Sequence, residues 1–94
     1  MCIIHKDMGV SHGDFWRIIP AALSGFAWRR DNNVITAEDG GRRLVIRLAT
    51  EGVHRIAALS IPMTRVTLEF SGFTTEERES FLARFYRRFQ RGGG

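Results

Sequence analysis

This sequence predicts an α+β fold: an N-terminal helix, an antiparallel β-meander of three to five strands and a C-terminal amphipathic helix, with both helices on one sheet face. Three observations predict it. Apolar residues recur at three- and four-residue steps between Phe15 and Phe26 and again between Phe81 and Phe89, the spacing of one helical face. Between these segments, from Phe26 to Ser71, the period becomes two, broken by Asp31-Asn32-Asn33, Asp39-Gly40-Gly41 and Glu51-Gly52. Ninety-four residues hold a single core, and a sheet buries its apolar side only if the two helices cover it.

Residues 1 to 10 show no clear period and are expected to fray or to add a short edge strand. The domain proper is expected over residues 11–91, followed by a flexible glycine tail over 92–94. The first helix starts at Ser11 or Asp14, both good N-caps, and ends near Leu23, with Gly25 placed for a left-handed C-cap. Phe15, Ile18, Ile19 and Ala22 line its apolar face, and Trp16 lies off that stripe. Pro20 removes a helix hydrogen bond at a cost of ~3 kcal/mol, so a kink or two short helical pieces are expected.

The strands follow by alternation. Phe26 to Arg30 and Val34 to Glu38 flank the first turn. Arg42 to Ala49 comes next, with Leu44, Ile46 and Leu48 on one face and Arg43, Val45 and Arg47 on the other. A fourth strand is expected over Arg55–Ser60. Pro62 cannot donate to a ladder and is expected to mark a bulge or turn before the last strand. There Val66, Leu68 and Phe70 point inward, and Arg65, Thr67 and Glu69 outward.

The terminal helix is the best marked element. Thr74-Thr75-Glu76-Glu77 matches a capping box, and Phe81, Leu82, Phe85, Tyr86 and Phe89 form an apolar stripe suited to the core. Acids at Glu76, Glu77 and Glu79 precede Arg84, Arg87, Arg88 and Arg91, the polarity that complements the helix dipole.

The chain is 44% apolar and 26% charged, with seven phenylalanines and two tryptophans, a composition that excludes disorder. No apolar run approaches the ~20 residues of a membrane span. His5, Lys6 and Asp7 interrupt the start where a secretory signal would be apolar, and Cys2 is the lone cysteine, so a cytoplasmic protein is the default expectation. The net charge is +4, and of the fourteen basic residues only Lys6 is not arginine.

No catalytic or metal constellation stands out. His5, His12, His54, Cys2, Asp7 and Asp14 match no familiar ligand spacing, and no serine sits in a nucleophile elbow. Gly40-Gly41 reads as a hairpin turn, not a phosphate loop, so no cofactor is implied. The arginines are the remaining candidates. Arg29, Arg43, Arg47 and Arg65 are expected to share the sheet face away from the helices. Arg84, Arg87, Arg88 and Arg91 form a stripe opposite the apolar one, where Arg84 and Arg88 repel at i, i+4 without an acid four residues away to relieve them.

The order helix, antiparallel strands, helix resembles double-stranded RNA-binding domains in topology alone. The last helix opens Thr74-Thr-Glu-Glu77 rather than with lysines, and there is no Gly-Pro-x-His loop, so no residue is carried across. The end Arg91-Gly-Gly-Gly94 is similar to the Gly-Gly tails of ubiquitin-like modifiers and sulfur carriers, which implies a carrier acting through Gly94. In those proteins a strand precedes the tail, whereas here a helix does.

The functional expectation is a small non-enzymatic interaction domain that binds a protein partner or itself, through an open sheet face bearing Trp28, Arg29, Arg47 and Arg65 and an unpaired edge strand. A nucleic-acid module using these arginines with Arg84, Arg87, Arg88 and Arg91 is the alternative, and the glycine carrier the third reading.

Overall fold

The structure, a computed structural model, describes residues 1–93, with side chains up to Gln90. Eight elements follow in order: β1 (Cys2–Met8), α1 (His12–Ala22), β2 (Ala27–Asp31), β3 (Val34–Asp39), β4 (Arg42–Leu48), β5 (Gly52–Ile56), β6 (Leu59–Ser71) and α2 (Thr75–Gly93). Every strand pairing is antiparallel, in the order β1-β6-β4-β3-β2, with β5 on the first part of β6. The α+β class and the two flanking helices are as the sequence predicts. The strands number six, because residues 2–8 form a full edge strand whose partners run from Thr64 to Phe70. α2 runs through Gly93, into the stretch 92–94 expected as a glycine tail. Gly94 itself and the side chain of Arg91, the end of the arginine stripe, lie outside the described residues.

Alternation sorts the sheet into two faces. Ile35, Ala37, Leu44, Ile46, Leu48, Val66, Leu68 and Phe70 are buried beneath the helices. They meet Phe15, Ile18, Ile19 and Ala22 of α1 and Phe81, Leu82, Phe85 and Phe89 of α2. Phe15 joins the two helices, stacked on Phe89 with ring centroids 4.9 Å apart. Full burial of each such side chain stabilises by about 1.5–3 kcal/mol.

The helix ends follow their caps. Ser11 Oγ accepts from the Asp14 N–H at 3.1 Å. In α2 the Thr74 N–H donates to Glu77 Oε1 at 2.8 Å and the Glu77 N–H donates to Thr74 Oγ1 at 3.1 Å, a complete capping box. Pro20 does not split α1, which is one helix. It stands in the last turn, exposed, where only the Trp16 carbonyl loses its helical donor.

The expected fourth strand over 55–60 and the break at Pro62 are corrected. The chain turns at Ala57-Ala58, with Ala57 at φ 53, and β6 then runs unbroken through Pro62. Counting from that two-residue turn, Val53↔Pro62 is a non-hydrogen-bonded pair. The proline's missing N–H therefore faces the outer edge, where β1, which begins pairing at Thr64, leaves no ladder to break.

β4 and β5 act as one long strand against β6. Three residues separate Leu48 from Gly52, but only two separate Val66 from Met63, so one extra residue makes a β-bulge at 49–51. At the other end of β6, Gly72 (φ +75) packs on the β3–β4 turn so closely that a Cβ there would overlap the Gly41 carbonyl.

Candidate association surface and arginine groove

Beyond the bulge the sheet narrows to β5 and the start of β6, a two-stranded arm. Residues 51–60 are all exposed, and β5 pairs with β6 alone. The cause is length. β6 spans on the order of 43 Å at strand rise, whereas α1 covers about 16 Å and α2 about 28 Å at helical rise. The radius of gyration, 13.5 Å, exceeds the roughly 12 Å of a compact domain this size.

The arm carries apolar side chains with nothing over them: Val53 is 62% exposed, Ile56 52% and Leu59 65%. By register Ile56, Leu59, Ile61 and Met63 lie on one side, continuous with the sheet face away from the helices. Its base is fastened to α1. The His12 backbone N–H donates to Glu51 Oε1 at 2.7 Å, and the His12 ring Nε2 donates to the Ala49 carbonyl at 2.8 Å. An acid at a helix N-terminus is favoured by the dipole, so the bulge and α1 hold each other.

On the open face, the register places Arg29, Arg43, Arg47 and Arg65 together, as expected. Trp28 does not belong with them. It stands opposite Ala37, which stands opposite Leu44, so it shares the helix-bearing face at the β2 edge, where it remains 39% exposed. A one-residue parity step separates it from Arg29.

The face is charge-balanced. Arg65 donates to both Asp7 oxygens, at 2.9 and 3.3 Å, directly across the β1–β6 pair. These bonds hold the Asp7 carboxyl below its ordinary value and raise Arg65. Arg47 Nε donates to Glu69 at 2.8 Å. Glu38 lies opposite Arg43, and Asp31 shares the face with Arg29. The face thus carries four arginines and four acids, of which Arg65–Asp7 and Arg47–Glu69 are in contact.

The histidines are dispersed: His5 bonds Thr67 across the open face, His12 holds the bulge and His54 sits on the arm. Among the described residues no group of three or more His, Cys, Asp and Glu converges, and no helix is long and apolar enough to cross a membrane. Arg30 covers the Trp16 ring, its Cζ 3.7 Å from the centroid, a cation–π contact that accounts for both side chains.

The α2 arginines behave differently. Arg84, Arg87 and Arg88 line a groove of about 290 Å³ with Ala21, Ala22 and Ser24 at the end of α1. Every ion pair among the described residues involves Arg17, Arg42, Arg47 or Arg65, so these three have no acidic partner there.

Comparison with family models, curated proteins and solved structures finds no match.

Proposed function

We propose that this chain is a non-enzymatic association domain whose partner is a second copy of itself, docked through the β5–β6 arm. The observation that supports the reading is the exposed apolar arm, a two-stranded ribbon with a free backbone edge. Such ribbons are marginal alone and gain from a third strand. Extended by one residue, the edge is also self-complementary in charge. Antiparallel pairing of two β5 edges about Val53 sets Arg55 of each copy opposite Glu51 of the other, an isologous two-fold contact. Glu51 precedes β5 and keeps its Oε1 bond to the His12 N–H.

It also lays each arm tip, with Ile56 and Leu59, beside the base of the other arm. A stable interface takes about 800 Å² per partner, so the arm must engage along its whole length together with the adjoining part of the open face. The balanced charge of that face favours protein over a phosphate backbone as its partner.

Sedimentation velocity over a concentration series tests the reading. The expected species is twice the 10.7 kDa chain mass. A particle that stays monomeric into the millimolar range overturns it.

A further inference from the structure

We infer that the groove between the end of α1 and α2 is an anion site that takes a phosphate group. Three features of the groove point there, and none depends on the arm.

Charge comes first. Arg84, Arg87 and Arg88 converge on one groove without an acidic partner among the described residues. On their own helix the acids Glu76, Glu77 and Glu79 stand in the opening turns, and Glu77 is engaged by the cap and by Arg42. Arg84 and Arg88 sit one turn apart and repel.

The fold supplies one counter-charge. The last turn of α1 holds no basic residue, so the arginines of α2 are the basic groups that line a groove with its C-terminal end. That end is worth about half a negative charge, against three full positive ones. An excess of more than two charges is left over, which a phosphate dianion neutralises and a single carboxylate does not.

The third feature is shape. Ala21 and Ala22 give the opposite wall no side-chain bulk, and Ser24 adds an exposed hydroxyl donor at the mouth. Planar guanidinium forks beside a hydroxyl suit the oxygens of phosphate. No aromatic side chain lines the groove, so it reads the phosphate and not a base. The charge can be met by one free monoester dianion or by two successive phosphodiester monoanions of a nucleic-acid backbone, and two probes separate these sources.

The test titrates the whole chain with inorganic pyrophosphate and, separately, with a fluorescent single-stranded oligothymidylate, alongside Arg84→Gln/Arg88→Gln. Binding of either probe that the double variant loses at least tenfold is the expected result, and the probe that binds names the source. With the oligonucleotide, three contacts imply a log–log salt slope of about −2, a loss of about twentyfold between about 50 and 200 mM salt. The unliganded variant is expected to melt close to the wild-type midpoint, because the repulsion removed is offset by the loss of two charges that complement the carbonyl ends of the helices. Binding undiminished in the variant overturns the site, as does absence of binding by both probes. A midpoint far below wild type, beyond what two lost helix-end charges explain, assigns the arginines to fastening α1 and also overturns it.

Discussion

Replacing Ile56 and Leu59 together by serine is the most direct probe of the arm. In the isolated chain these side chains are 52% and 65% exposed, so half or more of their burial is unrealised. Complete burial of an Ile or Leu side chain is worth about 1.5–3 kcal/mol, which leaves about 1–2 kcal/mol per side chain to gain on docking. Two side chains on each of two protomers then contribute about 4 kcal/mol at the low end, or about three decades in dissociation constant. The monomer loses little, since exposed substitutions away from the core stay within about 0.5 kcal/mol. Sedimentation velocity reads the first effect and thermal melting of a dilute sample the second. A variant that dimerises within tenfold of wild type refutes the reasoning. So does one that melts well below it, since the arm would then be part of the monomer's core.

Three further outcomes test the fold. Gly72→Ala and Gly40→Ala both place an alanine at positive φ, costing about 1–2 kcal/mol each. Only the first also drives a Cβ into the Gly41 carbonyl, for about 1–3 kcal/mol more, so melting should rank Gly72→Ala well below Gly40→Ala, and equal midpoints would be wrong for this packing. Thr64→Val removes the donor to the Val10 carbonyl, a buried 2.8 Å bond, and should cost about 1–3 kcal/mol by denaturant titration despite its equal size. Asp7 and Glu77 both have lowered folded values, Asp7 chiefly through the Arg65 bond and Glu77 chiefly through the Thr74 N–H. Their contribution is therefore full above the ordinary carboxylate value of about 4 and lost as pH falls through the folded values. Asp7→Asn/Glu77→Gln should accordingly flatten the acid limb of stability against pH, and parallel limbs would contradict the assignment.

How much was legible in the sequence depended on whether the governing contacts were local. The α2 cap, the α1 start and the inward face of β6 all follow from residues three or four apart or alternating, so they were readable. The bulge was not. One extra residue at 49–51 shows only when β4 and β5 are set against β6, and without it the chain reads as a turn followed by a fourth strand. Pro62 reads as a break in the sequence alone, because its missing N–H matters only in relation to neighbours, and its outer edge has no ladder at that point. Trp28 and Arg29 are adjacent in β2, so period two puts them on opposite faces. Grouping both on the open face overlooks that alternation, and the pairing of Trp28 with Ala37 shows that Trp28 is the one on the helix side. The arm's exposure follows from the mismatch between a thirteen-residue strand and shorter helices, and the sequence shows the strand's full length only once Pro62 is known to lie within it. Type and spacing single out the arginines, but only packing separates Arg47 and Arg65, which are paired, from Arg84, Arg87 and Arg88, which have no acidic partner among the described residues.

The eleven residues of α1 reach from one of these regions to the other. The first residue, His12, grips the bulge beneath the arm, and Ala21 and Ala22 form a wall of the arginine groove. A rod about 16 Å long thus has a handle at each end. A ligand that displaced α1 from either end would be felt at the other, and linkage would make any such coupling the same factor in both directions.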